Sequence, residues 1–166
     1  MRQINTRQFN TVLVIFTALA CAVSVAWAQN TRFFKATATL TGADVVVSWK
    51  EAGLSDNQNT DYEASAYATA TYVCVTPQGY CLGDINKLTV QGAVTTTGTF
   101  VSGKNGSITA SLTLEPPGPG DFSCGGPTTV ALSEVSYSSI QITDKTNNIP
   151  KTATPSAISA TLDACP

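Results

Sequence analysis

The sequence predicts an all-β fold: a single antiparallel β-sandwich, immunoglobulin-like, of about seven strands, stabilised by disulfides. Three observations carry this. Thr, Ser, Ala, Val and Gly dominate, Met occurs once and only 12% of residues are charged, which suits strands with a hydroxyl-bearing outer face better than helices. Polarity alternates with period two from Phe33 to the C-terminus, broken by turn residues. Cys74, Cys81, Cys124 and Cys165 form an even set once a leader carrying Cys21 is removed. An eight-stranded closed barrel is the alternative architecture.

The leader comes first. Arg2 and Arg7 are its only charges, an apolar run spans Val12 to Val25, and Ala26-Trp27-Ala28 puts small residues at the two positions signal peptidase reads. Residues 1–28 are therefore expected to be a signal peptide, cleaved before Gln29, and residues 29–166 a single domain, secreted or periplasmic. The apolar run falls short of the ~20 residues of a membrane-spanning helix. A lipoprotein anchor at Cys21 is a weaker fit, because Leu19 sits one place late for a lipobox.

Along the domain, Phe34, Ala36, Ala38 and Leu40 line one face of a first strand, and Thr41-Gly42-Ala43-Asp44 turns it. Val45, Val47 and Trp49 line a second, and Glu51 to Asp61 reads as a polar loop. The alanines of 62–75 would tolerate a helix, but Tyr62, Ala64, Ala66, Ala68, Ala70, Tyr72 and Cys74 fall on one side only if the segment is extended. Such a small-residue face implies close approach by large side chains, with Trp49 and the phenylalanines as candidates. Leu88, Val90, Val94 and Phe100 mark a long fourth strand, expected to bend or bulge near Gly92 and Gly98. Gly103-Lys104-Asn105-Gly106 is the strongest hairpin signal in the chain, and Ile108, Ala110, Leu112 and Leu114 form the strand after it. Residues 115–127, with Pro116-Pro117-Gly118-Pro119-Gly120, exclude regular structure. A strand from Val130 to Thr143 shifts parity near Ser138, which predicts a bulge there. Residues 144–148 turn it, and Ile158, Ala160, Leu162 and Ala164 close the domain.

If each connection reverses direction, the loops at 77–86 and 115–127 share one pole with the C-terminus, and all four cysteines gather there. The loop at 51–61, the turn at 102–106 and the turn at 144–148 share the other. Spacing alone favours Cys74–Cys81 with Cys124–Cys165, whereas strand parity also allows Cys74–Cys124 with Cys81–Cys165. A zinc or redox role is disfavoured by the absence of histidine, the lack of a Cys-x-x-Cys pair and an extracellular setting.

Loss of Arg2 and Arg7 leaves seven basic residues against eleven acidic ones, a net charge of −4 for residues 29–166. With no basic cluster, nucleic acid is not an expected partner, nor is a membrane after cleavage. No Ser-His-Asp or Cys-His arrangement is possible without histidine, and the acidic residues stand mostly alone in turns. In the loop 56–63, Asp56, Asn59, Asp61 and Glu63 are weak calcium candidates, with oxygen-bearing side chains at calcium-loop spacing. The turn glycine and closing glutamate of such a loop are missing, so no metal and no cofactor is favoured. Asn105-Gly106-Ser107 matches a glycosylation sequon but reads as the turn itself. Tyr62 and Tyr72 share one strand face and Tyr67 the other, so they cannot form a single stacking platform.

The elements Trp49-x-x-Ala52-Gly53-Leu54, Ala68-Thr69-Ala70-Thr71-Tyr72-Val73-Cys74, Gly103-Lys104-Asn105-Gly106, Glu115-Pro116-Pro117-Gly118-Pro119-Gly120, Phe122-Ser123-Cys124 and Val135-Ser136-Tyr137 resemble a group of small secreted bacterial proteins without an assigned function. The resemblance runs from about Trp49 to Asn148. It implies a secreted β-sandwich in which Cys74 and Cys124 are the shared pair, with Cys81, Cys165 and the tail after Asn148 as additions. It carries no catalytic residue.

The expected function is a non-enzymatic binding or structural module that meets a protein or glycan surface. A carbohydrate- or calcium-dependent ligand-binding module is the alternative, and a small hydrolase the third.

Overall fold

Long runs of alternating small apolar and hydroxyl side chains can bury one face only as strands, and the described residues form eight of them. The computed structural model describes residues 30–82 and 86–162. The expected signal peptide, Cys21, Ala164 and Cys165 lie outside the described residues. The strands are β1 (Arg32–Thr41), β2 (Asp44–Ala52), β3 (Asn59–Val75), β4 (Lys87–Val101), β5 (Ser107–Leu114), β6 (Thr129–Asp144), β7 (Ile149–Thr152) and β8 (Ile158–Thr161). A three-stranded sheet, β1-β2-β5, faces a five-stranded one, β4-β3-β6-β7, with β8 also on β6. All pairings between strands are antiparallel. This is the predicted sandwich, with an immunoglobulin-like strand order.

The core lies between the sheets, where Val45, Val47 and Trp49 of β2 meet Tyr62, Ala64, Ala66 and Ala68 of β3. The alanine face makes room for aromatic rings, as its composition implies. Trp49 packs on Tyr62 with ring centroids 4.8 Å apart and edge-on to Phe100 at 5.3 Å, while Phe33 meets Tyr62 at 6.3 Å. Tyr137 crosses the interior and donates to the Ala43 carbonyl at 2.8 Å, tying the β1–β2 turn to β6.

Several expectations need correction. Phe34 is 56% exposed and Phe33 packs inward instead, because a bulge between Phe33 and Lys35 resets the parity of β1. Arg32 lies over the outward Phe34 ring. Glu51 belongs to β2 rather than to a loop, and it is buried. β4 pairs with β3 without a break from Lys87 to Val101, so Gly92 and Gly98 mark no bulge. At Gly98 a Cβ would come within 3.1 Å of the Leu112 side chain; close packing by the other sheet explains that glycine. The turn at 103–106 is tight, with Gly106 at φ 61° donating to the Gly103 carbonyl, but its flanking strands are not a hairpin. β4 pairs with β3 and β5 with β2, so the turn carries the chain between sheets. Gly106 meets the 51–61 loop there: its carbonyl accepts from Leu54 N–H at 3.0 Å.

The bulge expected near Ser138 is present, with a register shift opposite Ser65/Tyr67 and Ser139 at φ 54°. The closing edge differs: it comprises two short strands, β7 on residues 141–144 of β6 and β8 on residues 134–137. The sequence reading has no β7, because Pro150 and Lys151 hide its alternation. Between β7 and β8 the chain leaves its sheet. Thr154 N–H donates to the Ala36 carbonyl and Ala38 N–H to the Thr154 carbonyl, a parallel bridge onto β1 of the other sheet.

Cys74 and Cys124 form a disulfide across 50 residues, with Cα atoms 5.6 Å apart. Such a bond forms and persists in an oxidising, non-cytoplasmic environment. The pairing Cys74–Cys81 that spacing favours does not occur. Cys81 bridges Val75 backbone to backbone, and directly paired residues share a face, so its side chain points away from the inward side of Cys74. Cys81 is also disulfide-bonded. The Pro-rich loop is held a second time where Tyr72 donates to the Pro117 carbonyl at 2.8 Å.

Candidate functional site

The inner residues of β3 pack against the other sheet, and strict alternation sends Asp61, Glu63, Ser65, Tyr67, Thr69 and Thr71 to its outer face. Their cross-strand partners extend that face in rows: Thr97–Glu63–Thr143, Thr95–Ser65–Gln141, Gln91–Thr69–Ser136–Ser159 and Thr89–Thr71–Glu134–Thr161. Hydroxyls and amides thus repeat about every 4.8 Å across the strands and 6.8 Å along them. Tyr67 stands among them, 46% exposed, between Ala93 and Ser138. Beside it, Thr69, Thr71, Glu134, Ser136, Ser159 and Thr161 line a shallow depression of about 380 Å³. The three-stranded sheet packs behind this face and the Cys74–Cys124 bond ties the end of β3 to the Pro-rich loop, so its hydroxyls keep their spacing.

A second polar feature is sealed from solvent. Glu51, two residues beyond Trp49 on the same face of β2, is fully buried and accepts a 2.5 Å hydrogen bond from the Tyr62 hydroxyl. Burial pushes the Glu51 carboxyl from its ordinary 4.5 up to about 7, opposed by the Tyr62 bond and reinforced by the charge of Asp144, itself buried. Burial, and then Glu51, drive the Tyr62 hydroxyl far above its usual range. Glu51 Oε1, Thr60 Oγ1 and Trp49 Nε1 have no hydrogen-bond partner. The indole N–H eases the Tyr62 ionisation electrostatically but falls outside hydrogen-bond geometry. Asp144 accepts from the Asn147 backbone N–H at 2.9 Å and from its side-chain amide at 2.6 Å, which closes the turn after β6. No substrate can reach Glu51 without opening the core.

The predicted second pole forms as expected. Ser102 Oγ donates to the Ser55 carbonyl at 2.5 Å, and Lys145 N–H to the Asp61 carbonyl at 2.8 Å, joining the 51–61 loop to both turns. The calcium candidates are divided there. Asp56 lies in an exposed turn, and Asn59 and Asp61 start β3. Asp61 Oδ1 accepts from Thr99 at 2.5 Å, and Glu63 pairs with Lys145 at 3.3 Å. Among the described residues, no three His, Cys, Asp or Glu side chains gather as metal ligands. The tyrosines fall as the alternation requires: Tyr62 and Tyr72 are buried, Tyr67 and Tyr80 exposed. Sequence reasoning missed the Glu51–Tyr62–Asp144 cluster, although Glu51 continues the alternation Val45, Val47, Trp49 and Asp144 continues Ile140, Ile142.

No protein-family model and no curated protein sequence matches the chain. Among solved structures, it is similar to Spo0M, a sporulation control protein from Bacillus subtilis, at 14% identity and a TM-score of 0.26. The match covers 80% of this chain and 46% of that one.

Proposed function

We propose that the protein is a secreted, non-enzymatic surface or matrix interaction module that works through the outer face of its five-stranded sheet, taking a neutral, hydroxyl-rich glycan. The observation that carries this reading is the row pattern of Thr, Ser and Gln around the exposed Tyr67 on a rigid sheet. Tyrosine contributes contact area at small entropic cost, and short hydroxyl side chains supply adaptable hydrogen bonds. The low charge density of the chain favours a neutral partner. Secretion is supported by the leader pattern of residues 1–28 together with the Cys74–Cys124 bond. A non-enzymatic role is supported by the burial of Glu51, whose shifted carboxyl is out of reach of a substrate.

Affinity electrophoresis through gels containing neutral or acidic polysaccharides tests the reading. The protein should be retarded by a neutral polymer, independently of salt, and Tyr67→Ala should weaken the effect about tenfold. Migration unaffected by every polymer, or retardation indifferent to Tyr67→Ala, would reject it.

A further inference from the structure

Every sheet edge in this fold carries a protective device except one. β1 has a bulge, Arg32 and Lys35, and its outer edge is bonded to Thr154. The outer edge of β5 is approached by β4, where Thr96 donates to the Thr113 carbonyl, and β7 and β8 have four residues each and are separated by a departure from the sheet. These are the means by which natural sheets avoid adding a further strand. β4 uses none of them beyond the Lys87 at its start. It runs 15 residues, about 50 Å of strand, in unbroken register with β3 and without proline. No charged residue occurs from Leu88 to Val101. Among the described residues, no strand pairs with its outer edge.

The same strand leaves apolar surface uncovered. Leu88, Val90 and Val94 point to the inner side of the sheet, yet each stays only partly buried, Val94 against the margin of the core. The three-stranded sheet reaches β4 further along, where Leu112 packs at Gly98 and Thr96 donates to the Thr113 carbonyl at 2.8 Å. Whatever pairs with β4 would therefore gain backbone hydrogen bonds and cover an apolar strip.

We propose that the occupant is a second copy of this chain, with β4 pairing antiparallel to β4 about a two-fold axis at Val94. The argument is self-complementarity. Val94 is the midpoint of β4, so an axis there uses the whole strand. It sets Thr89 opposite Thr99, Gln91 opposite Thr97 and Ala93 opposite Thr95 on the outer face. On the inner face it sets Leu88 opposite Phe100, Val90 opposite Gly98 and Val94 opposite itself. Outward residues meet outward ones and inward residues meet inward ones, Gly92 falls opposite Thr96, and the lone charge, Lys87, faces Val101 rather than its own copy. The five-stranded sheets then join into one of ten strands, a continuous hydroxyl face. The pairing goes beyond the glycan reading and does not depend on it.

Sedimentation equilibrium from micromolar to submillimolar concentration is the test, with folding of each variant checked by thermal melting. The protein should dimerise. The outward pair Ala93→Lys/Thr95→Lys puts like charges directly opposite across the axis, and should raise the dimer dissociation constant at least about tenfold with melting otherwise retained. Ala93→Lys/Thr95→Glu places Lys opposite Glu in both halves and should restore dimerisation. A monomer throughout the range, a dimer indifferent to the double-lysine change, or no recovery with the Lys/Glu pair would each overturn the proposal.

Discussion

Replacing Glu51 by Gln removes a titration from the interior while keeping the side chain's shape and an acceptor for the Tyr62 hydroxyl. In the folded protein Glu51 binds its proton more tightly than in the unfolded chain, about 7 against 4.5. The stability this contributes is complete below the unfolded value and is lost as the pH rises through the folded one. At about 1.4 kcal/mol for each pH unit of difference, the loss across that window is about 3 kcal/mol. Among the described residues no cation offsets it, since Lys145 is engaged with Glu63 on the outside. Urea unfolding followed by Trp49 fluorescence, from about pH 4.5 to pH 8.5, measures the effect directly. Wild type should lose stability toward alkaline pH, whereas Glu51→Gln should be nearly flat, close to wild type in acid and about 2–3 kcal/mol more stable near pH 8. Tyr62→Phe, which deletes the donor that favours the ionised form, should move the wild-type midpoint above 7. Parallel pH profiles for wild type and Glu51→Gln would refute the reasoning, and would mean that Glu51 is solvated.

Trp49→Ala should cost about 3–5 kcal/mol in chemical denaturation, because the ring fills the space left by the alanines of β3 and packs on Tyr62 and Phe100. Replacing Cys74 and Cys124 together by Ala releases a crosslink spanning 50 residues, and should lower stability by up to about 4 kcal/mol on the loop-entropy scale. Gly106→Ala should destabilise well beyond the ~1 kcal/mol of an ordinary Gly-to-Ala strain, since its Cβ would press on the Leu54 carbonyl at positive φ. Gly92→Ala meets nothing within 4 Å and serves as the neutral control.

The parts of this fold legible in the sequence are those where period two persists. Tyr62 to Cys74 identified its own inner face, and the parity change around Ser138 announced the bulge at Ser139. Legibility stops where alternation is carried by residues of the unexpected polarity. Glu51 and Asp144 occupy core positions by parity, but carboxylates at strand ends read as solvent-facing until their partners, Tyr62 and Asn147, are seen. Local signals also do not say which sheet a strand joins. The Gly103–Gly106 turn was recognisable, yet its strands part because Leu54 and Ser55 hold it from the side. The outer hydroxyl face was visible strand by strand, but its rows depend on register, which no single strand encodes.

The bridge between Thr154 and β1 has a mechanical consequence. The segment at Thr154 runs parallel to β1, so tension applied between the start of β1 and the end of β8 draws the two backbones past each other lengthwise. The bonds from Thr154 N–H to Ala36 and from Ala38 N–H to Thr154 then resist together in shear, instead of opening one after another as in an unzipped edge. A module tethered by both ends would thus share a pull between this seam, the β1–β2 pairing and the β6–β8 pairing.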